Sequence, residues 1–410
     1  MQAENKNNIK IVSLGCRLNA LEAEKIQKML TPLLDAAIVV NTCAVTAEAE
    51  RQSGQTVRKL SRENPAAPIF VTGCAATRNP DLFFHIPNAI VVQNRDKMTP
   101  GAYMNALAAA PCDFAAPQIT RFNHPAPHLS KQFIQVQNGC NHKCAYCVTR
   151  LLRGPAVSVT YDEILSDARE AIQNGFYEIV LTGVDTASYA SDGMLISDVC
   201  AGLLRDVPEL RRLRISSFDP ASPQIFKIID LMHSDARMMP HMHLSMQSGS
   251  DTILRAMRRR HTADTVRKIV QYAGDGITFS WDIICGFPGE TDELFCETMD
   301  LVRETRPIKI HAFPFSARPG TEAFDMPNQT DRAVSRNRVK IISDMANKIR
   351  AEFMAANIGR RVSVLVEENN IARTPHDIDV KISGTTITPR TICNVKLANI
   401  VDDAYIGEIE

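Results

Sequence analysis

The sequence predicts an α/β fold in three parts: an N-terminal domain with a parallel sheet, a central partial (β/α)6 barrel and a small C-terminal all-β domain. Short apolar runs alternate with helical stretches over most of the chain, a pattern typical of parallel sheets. Residues 358–410 change to short alternating strands with turn signals between them. A length of 410 residues also favours two or three domains over one.

The N-terminal domain is predicted over residues 8–110. Its strand-like runs are almost continuously apolar, which indicates strands buried on both faces of a sheet. They lie at residues 10–16, 37–43, 69–74 and 89–94. A polar helix is expected to begin near Asn19, and a long charged helix to cover residues 47–63. Residues 111–130 contain four prolines and little periodicity, so we predict a linker there.

The central domain is predicted over residues 131–357. It contains six strand-like runs, each followed by a helical pattern, at residues 133–137, 178–183, 212–217, 241–247, 279–287 and 309–317. Six β/α units are too few for a closed eight-fold barrel and fit a partial barrel, with active groups at the carboxyl ends of the strands. The last domain, residues 358–410, is predicted to be a small all-β barrel or sandwich.

Composition and charge exclude several classes of protein. Apolar residues make up 45% and charged residues 22% of the chain, which excludes disordered and collagen-like proteins. No apolar run has the length of a membrane span, and the start lacks the features of a signal peptide, so we expect a cytoplasmic protein without membrane contact. The 46 Lys and Arg balance the 46 Asp and Glu, so only local patches could bind nucleic acid.

Cysteine usage is the unusual feature of the composition. There are eleven cysteines, an odd number, and a disulfide framework is not expected in the cytosol. Cys16, Cys43 and Cys74 each directly follow a predicted buried strand, and the carboxyl ends of parallel strands meet at one edge of a sheet. We therefore predict that the three thiols form a ligand set, against the alternative that each is a small buried hydrophobe. The preceding Asn41 and Thr42 fit donors to that site and ordinary turn residues equally well.

A second cysteine motif follows the first strand of the central domain. The segment QNGCNHKCAYC contains Cys140, Cys144 and Cys147 at a Cys-x3-Cys-x2-Cys spacing. This spacing differs from that of zinc sites and provides no fourth ligand nearby. Three thiolates can hold three irons of a [4Fe–4S] cluster and leave one iron open to a substrate. His142 in this loop is interpreted as a solvated histidine rather than a ligand.

These residues carry a resemblance to a known family. The cysteine motif, with Tyr146 as its aromatic residue at the start of a partial barrel, resembles the radical S-adenosylmethionine enzymes. The three upstream cysteines narrow the resemblance to the methylthiotransferases, which have an N-terminal cluster domain, a radical domain and a C-terminal TRAM domain. The MtaB-type branch is favoured by the segments SLGCRLNALEAE, NTCAVTAEAE, RISSFDP, HLSMQSGSDTILRAMRRR and GFPGETDE.

The resemblance implies an activity and its cofactors. MtaB-type enzymes convert N6-threonylcarbamoyladenosine at tRNA position 37 to its 2-methylthio derivative. Two [4Fe–4S] clusters are implied, one on Cys140, Cys144 and Cys147 that binds S-adenosylmethionine, and one on the upstream cysteines that carries the inserted sulfur. The implied partners are the tRNA anticodon loop, S-adenosylmethionine and an external electron donor such as a flavodoxin or ferredoxin.

Five residues are candidates to bind the cofactor. Tyr146 belongs to the cysteine motif, and the others end successive barrel strands: Gly183, Asp185, Ser217 and Gln247. Glycine allows close backbone approach and Asp185 can accept from an amino group or a ribose hydroxyl. No catalytic residue is expected beyond the cluster ligands. The remaining cysteines are interpreted as core or surface thiols: Cys112, Cys200, Cys285, Cys296 and Cys393.

RNA contacts are less evident from the sequence. Two basic segments could contact phosphates or could be solvated helix faces. They are the run Arg258, Arg259 and Arg260, and residues 331–350, which hold six basic and two acidic residues. Residues 359–410 hold six basic and eight acidic residues, which weakens the expectation that the TRAM-like domain grips tRNA. The alternatives to tRNA methylthiolation are modification of a ribosomal-protein aspartate, as in the RimO branch, and a non-catalytic iron–sulfur RNA-binding module.

Overall fold

The computed structural model describes residues 9–110, 130–384 and 386–409. These residues form two compact units. The first unit contains residues 9–110 together with 139–141 and 147–155, and the second contains the other described residues. Cys112 and residues 111–129 of the predicted linker lie outside the described residues. No helix in the described part of the chain combines the length and the apolar character needed to cross a membrane.

The first unit contains the predicted parallel sheet. Its four strands pair in chain order, and all pairs are parallel. The strands are β1 (Ile9–Ser13), β2 (Ala37–Thr42), β3 (Ile69–Gly73) and β4 (Ala89–Val91). The helices are α1 (Arg17–Leu30), α2 (Ala47–Glu63), α3 (Cys74–Arg78), α4 (Asp81–Phe84), α5 (Pro100–Ala108) and α6 (Thr149–Arg153).

Both faces of this sheet are buried, as the continuous apolar runs predicted. Ile38 and Val40 of β2 belong to the core that includes Val57 and Leu60 of α2. Val39, between them, belongs to the core on the other face, with residues of α1 and α5. Alternating side chains of one strand thus enter two different cores, which favours a continuous apolar run such as residues 37–40.

The second unit contains the six predicted barrel strands. The run at 212–217 is divided at Ser216 into two short strands, so that hydrogen bonds join the strands as β5–β8–β11 and β12–β13–β14–β15. All these pairs are parallel. The strands are β5 (Gln132–Gln135), β8 (Glu178–Thr182), β11 (Arg212–Ile215), β12 (Ser217–Phe218), β13 (His241–Gln247), β14 (Thr278–Cys285) and β15 (Lys309–Pro314).

Helices follow the barrel strands, and two short antiparallel pairs were not predicted. The helices are α7 (Tyr161–Gln173), α8 (Ile196–Asp206), α9 (Gln224–Ser234), α10 (Asp251–Ala256), α11 (Ala263–Ala273), α12 (Asp292–Thr305), α13 (Glu322–Asp325) and α14 (Arg332–Ala356). The short pairs are β6 (Gln137–Asn138) with β7 (Val157–Ser158), and β9 (Ala190–Ser191) with β10 (Met194–Leu195).

The C-terminal residues form a closed barrel with the order β16–β17–β18–β20–β19. The strands are β16 (Arg361–Val366), β17 (Ile371–Arg373), β18 (Asp379–Ser383), β19 (Ile392–Val401) and β20 (Ala404–Ile409). The sequence predicted four of these strands and missed β17, which is only three residues long. Closure removes unpaired strand edges, so the structure selects a barrel over a sandwich.

Buried arginines attach this C-terminal barrel to the amino ends of the central strands. Arg212 donates to the carbonyl oxygens of Ser363 at 2.7 Å and Arg373 at 3.0 Å. Arg214 donates to the carbonyls of Thr374 and Pro375. Both guanidinium groups also pair with the buried carboxylate of Glu178. Parallel strands place this attachment at the opposite end of the strands from Gly183, Asp185 and Gln247.

Candidate functional site

The three strand-end cysteines of the first unit lie at one edge of its sheet. Cys16 precedes α1, Cys43 follows β2, and Cys74 is the first residue of α3. Because β1, β2 and β3 are adjacent and parallel, their carboxyl ends lie side by side. A Cβ atom built on Gly15 would lie only 2.6 Å from Cys43 Sγ, so the loop that carries Cys16 packs directly on Cys43.

Glycine is required at two positions of this edge. Gly15 and Gly73 have φ angles of +99° and +93°, in the region that favours glycine. A Cβ on Gly73 would lie 2.4 Å from the carbonyl oxygen of Thr42 and 2.5 Å from Asn41 Oδ1. Each glycine directly precedes a cysteine, so both the backbone conformation and the close packing fix where the thiols lie.

Hydrogen bonds hold the cysteine-bearing loops together. Thr42 Oγ1 donates to the carbonyl oxygen of Thr72 at 2.6 Å and accepts from the N–H of Ala76 at 3.1 Å. Asn41 Nδ2 donates to the carbonyl oxygen of Asn19 at 2.9 Å. The side-chain donors of Asn41 and Thr42 thus bond to residues far along the chain, not within a local turn, and Asn41 Nδ2 also lies 3.5 Å from Glu22 Oε2. Asn41 Oδ1 is buried without a hydrogen-bond partner among the described residues.

A buried ion network that the sequence did not predict lies beside these cysteines. Glu22 of α1 is 1% exposed and accepts from Lys97 Nζ at 2.5 Å and from Arg153 Nη1 at 2.8 Å. Arg153 Nη2 also donates to Asn19 Oδ1 at 2.7 Å, and the Cys16 thiol lies 3.7 Å from that oxygen. One carboxylate therefore faces two cations, and the network has one positive charge in excess.

The pKa values of the buried thiols reflect the same arrangement. Burial raises the pKa of Cys43 and of Cys74 above the usual range, while the positive charge of Arg153 opposes this rise at both. Lys97 opposes it at Cys74 as well. The excess positive charge would compensate thiolates bound to a metal, which is the state that burial alone disfavours.

The cysteines of the Cys-x3-Cys-x2-Cys loop are half-buried. In the first unit, Cys147 Sγ accepts from the N–H of Thr149 at 3.4 Å, and the N–H of Cys140 donates to the carbonyl of Gly154 at 3.1 Å. In the second unit, Cys144 Sγ accepts from Arg259 Nη1 at 3.7 Å. Donors directed at sulfur are expected where thiolates bind iron.

His142 is not the solvated loop residue that the sequence suggested. Its Nε2 lies 2.7 Å from Asp185 Oδ2 and 2.9 Å from Arg260 Nη2. Ser188 Oγ donates to the same Asp185 oxygen at 2.5 Å. The carboxylate of Asp185 lies at the carboxyl end of β8 as predicted, and there it holds the histidine of the cysteine loop.

Neither alternative for the basic run, phosphate contacts or a solvated helix face, describes all three arginines. Arg259 is buried, and its guanidinium donates to Asp219 Oδ1 at 3.0 Å and to the carbonyl oxygen of Ser245 at 2.8 Å. Arg260 pairs with the other oxygen of Asp219 at 3.1 Å, and Arg258 pairs with Glu322 at 2.7 Å. Arg259 cannot reach RNA phosphates because it is inside the protein.

A helix-ending turn directs Arg259 inward. Arg258 has a φ of 59°, the N–H of Arg258 donates to the carbonyl of Arg255, and the N–H of Arg259 donates to that of Leu254. This is the Schellman arrangement, in which the residue with positive φ is usually glycine. An arginine occupies that position here, so the turn could not be predicted from the sequence.

The other predicted cofactor residues lie at the carboxyl ends of barrel strands. A Cβ on Gly183 would be 3.0 Å from the carbonyl oxygen of Gln137, so a larger residue has little room. The hydroxyl of Thr186, in the loop after β8, donates to the Ser217 carbonyl at 2.7 Å. Gln247 ends β13 with a φ of 71°, and Tyr146 packs on the apolar cluster that includes Met257 and Phe287.

Of the cysteines outside the two sets, two are core residues as predicted. Cys200 and Cys285 are fully buried, and burial raises the pKa of both thiols. Cys296 is exposed and Cys393 is half-buried.

Comparisons with known proteins agree with this arrangement. The model of the Radical SAM superfamily matches residues 134–302, and that of the uncharacterized protein family UPF0004 matches residues 8–93. Threonylcarbamoyladenosine tRNA methylthiotransferase MtaB of Rickettsia prowazekii (strain Madrid E) is 38% identical over 92% of this chain and 92% of its own. The chain belongs to the MtaB family of radical S-adenosylmethionine methylthiotransferases.

Other relatives of this methylthiotransferase carry related names. The tRNA-2-methylthio-N(6)-dimethylallyladenosine synthase of Sphingopyxis alaskensis (strain DSM 13593 / LMG 18877 / RB2256) is 29% identical over 90% of this chain and 88% of that protein. Among solved structures, the radical S-adenosylmethionine methyltransferase TsrM of Kitasatospora setae has a TM-score of 0.57 at 13% identity, covering 77% of this chain and 76% of that chain. That likeness confirms the fold.

Family membership confirms the predicted class of enzyme. The methylthiotransferase is a radical S-adenosylmethionine enzyme of the tRNA-modifying type, and a [4Fe–4S] cluster with S-adenosylmethionine is implied. The residues present fit such a group, because cysteine sulfurs accept hydrogen bonds from Thr149 and Arg259. The first-unit site fits a further group bound by thiolates, because its three cysteines lie at one sheet edge and the cations of Lys97 and Arg153 lie beside them.

Proposed function

We propose that this enzyme converts N6-threonylcarbamoyladenosine at position 37 of tRNA to its 2-methylthio derivative, with two [4Fe–4S] clusters. Cys140, Cys144 and Cys147 would hold the cluster that binds S-adenosylmethionine, here called the radical cluster. The second, here called the auxiliary cluster, would be held by Cys16, Cys43 and Cys74.

The convergence of the three first-unit cysteines is the observation that carries the two-cluster proposal. A radical cluster needs only the three loop cysteines, so a second set of three thiols at one sheet edge requires another role. A closed zinc site would need a fourth ligand. A three-thiolate set leaves one iron of a [4Fe–4S] cluster open, where sulfur can be carried.

The substrate proposal is supported by the relatives. The Rickettsia prowazekii protein, named for threonylcarbamoyladenosine, is 38% identical to this chain, whereas the Sphingopyxis alaskensis protein, named for dimethylallyladenosine, is 29% identical. The N-terminal segments SLGCRLN and NTCAVT also resemble the MtaB type.

The chemistry requires a radical because C2 of adenine carries an unactivated C–H bond that no side chain deprotonates at neutral pH. When bound, the radical cluster and S-adenosylmethionine supply a 5′-deoxyadenosyl radical for this step. The protein's own residues position and compensate charge. Arg153 and Lys97 provide the positive charge beside the auxiliary thiolates, and Arg259 provides it beside Cys144.

Contacts to S-adenosylmethionine are proposed for the residues predicted at the strand ends. Gly183 leaves its backbone open to a ligand, and Asp185 offers a carboxylate to an amino or hydroxyl group. Tyr146, Ser217 and Gln247 complete the proposed set. Because Asp185 pairs with His142 and Ser188, any contact it makes to the cofactor is oriented by these two side chains.

The remaining partners are proposed to be tRNA and an external electron donor such as a flavodoxin or ferredoxin. Among the basic candidates for phosphate contact, Arg332 and Arg336 of α14 are exposed and make no ion pair with any described residue. The two arginines lie one helical turn apart on α14. This helix packs against residues 286–290, since Ser335 contacts Gly286 and Arg338 pairs with Glu290. This loop ends β14 at the carboxyl end of the barrel.

Nucleoside analysis tests the substrate. The reconstituted enzyme is incubated with S-adenosylmethionine, reductant and tRNA that carries either N6-threonylcarbamoyladenosine or N6-isopentenyladenosine at position 37. We expect the 2-methylthio product only from the first tRNA. Product only from the second would assign the enzyme to the other branch, and product from neither, in enzyme that cleaves S-adenosylmethionine, would contradict a tRNA substrate.

Iron analysis tests the number of clusters. Anaerobic reconstitution should give about eight irons per chain. Replacing Cys140, Cys144 and Cys147 by Ala should halve the iron and abolish cleavage of S-adenosylmethionine. Replacing Cys16, Cys43 and Cys74 by Ala should also halve the iron, preserve cleavage and stop sulfur transfer. About four irons in the unmodified protein, or zinc, would contradict the auxiliary cluster.

A further inference from the structure

The guanidinium of Arg259 makes an unusual set of contacts for a buried arginine. Its side chain is 7% exposed, and it donates to Asp219 Oδ1, to the carbonyl oxygen of Ser245 and to Cys144 Sγ. Its Nε has no hydrogen-bond partner among the described residues. A guanidinium held by three acceptors has a fixed orientation, so its position relative to the Cys144 sulfur is set by the fold.

Arg259 shares its carboxylate with a second arginine. Asp219 is the carboxylate for Arg259 and for Arg260, whose guanidinium groups bond to its two different oxygens. Burial alone would raise the pKa of Asp219, but Arg259 and its other donors hold it below the usual range, so the group is ionised. Arg260 also lies 2.9 Å from His142 Nε2, which contacts Asp185, so this second cation faces a second carboxylate. Arg259 is the cation that is directed at Cys144.

The first unit repeats this pattern independently. Glu22 is the buried carboxylate there, and it is shared by Lys97 and Arg153 beside cysteines. The two networks come from unrelated parts of the sequence and from different folds. Their common feature is an arginine that shares a buried carboxylate with a second cation and lies beside cysteines.

We propose that Arg259 is a positioning residue that sets the reduction potential of the radical cluster. This proposal rests on the proposed ligand role of Cys144. Reduction adds one electron to the cluster and makes it more negative. A cation and an N–H donor at a ligand sulfur stabilise the reduced state more than the oxidised state. Arg259 therefore raises the potential and makes one-electron reduction by the donor easier.

The test measures the potential of the radical cluster alone. The full-length chain with Cys16, Cys43 and Cys74 replaced by Ala is reconstituted, and the reduced cluster is followed by electron paramagnetic resonance during titration with dithionite. In this background Arg259→Gln should lower the ratio of reduced to oxidised cluster at least tenfold at a fixed potential, a negative shift of about 59 mV for one electron. Arg259→Lys, which keeps the charge, should recover most of that shift.

A matched control is available in the same unit. Arg237 also donates to one carboxylate, that of Asp235, and to one backbone carbonyl, that of Leu204, but it contacts no cysteine. Arg237→Gln should leave the potential unchanged. An equal shift in this control would show a general effect of charge on the chain and would overturn a specific role for Arg259.

A sign reversal separates an electrostatic role from a structural one. Asp219→Asn removes the anion and keeps Arg259, so it should shift the potential in the positive direction, opposite to Arg259→Gln. Unchanged potentials in both variants at full iron content would overturn the proposal, as would loss of iron from all three variants. If the background itself binds no cluster, the assignment of the loop cysteines has failed rather than the role of Arg259.

Discussion

The attachment of the C-terminal barrel makes a strong prediction for Glu178→Gln. The Glu178 side chain is fully buried and pairs with Arg214 at 2.9 Å and with Arg212 at 3.4 Å. Burial on its own would raise the pKa of Glu178, but Arg214, Lys131 and Arg212 hold it below the usual range, so the carboxylate is ionised. Removing one partner of a buried ion pair costs about 3–5 kcal/mol, because the other charge stays buried without compensation.

Thermal unfolding of the apo-protein measures this cost. Each kcal/mol lowers the melting temperature of a large domain by about 2 °C or more, so Glu178→Gln should lower it by roughly 6–10 °C. Glu322→Gln is the matched control, since its side chain is 44% exposed and pairs with Arg258, which is 53% exposed. An exposed pair of this kind contributes about 0–1 kcal/mol.

The comparison between the two variants decides the prediction. Equal small shifts in both would show that Glu178 does not hold the barrel in place and that the reasoning from burial is wrong. The iron content of reconstituted Glu178→Gln should stay normal, because Glu178 begins β8 and the proposed ligands lie at the other end of the strands. The same geometry implies that deleting residues 359–410 removes acceptors from Arg212 and Arg214, so such a deletion perturbs the central domain as well as any RNA contact.

Three further outcomes follow from the structure. Gly73→Ala should lose about half of the iron, because its methyl group would clash with the backbone of β2, whereas Gly101→Ala, with open space around it, should keep all of it. Burial lowers the pKa of His241 to about 3, so this residue should make the unfolding free energy fall by about 1.2 kcal/mol between pH 7 and 5.5. Urea titrations of His241→Asn should lack that decrease. An equal dependence of the unfolding free energy on pH in the variant would contradict the prediction. Replacing Arg332 and Arg336 together by Ala should weaken tRNA binding and reduce the slope of log K against log salt concentration by about 1.5. Binding isotherms at several salt concentrations measure this slope, and an unchanged slope would exclude both residues as phosphate contacts.

The outcome at His241 depends on the sign of its pKa shift. A lowered folded-state pKa means that the folded chain binds a proton less readily than the unfolded chain. The contribution of this residue to stability is therefore complete above the ordinary histidine pKa and is lost progressively as the pH falls toward about 3. Its ring nitrogens lie within hydrogen-bond distance of the hydroxyls of Thr278 and Ser280.

The sequence was sufficient for the fold and for the placement of the three strand-end cysteines. Parallel strands buried on both faces need continuous apolar runs, and these runs located β1, β2 and β3 together with the cysteine that follows each. Once the strands are parallel and adjacent, chain geometry brings Cys16, Cys43 and Cys74 to one edge. The position of each cysteine relative to a strand end was therefore enough, and no side-chain detail was needed.

Tertiary structure alone decided which charged residues are buried and what they face. Arg259 lies in a run of three arginines that is indistinguishable from a solvated basic patch in the sequence, yet the turn at Arg258 directs it toward Asp219 and Cys144. Arg153 and Glu22 meet across 131 residues of chain. Hydrophobic periodicity carries no information about such pairs, because burial of a charge depends on the partner that another element presents to it.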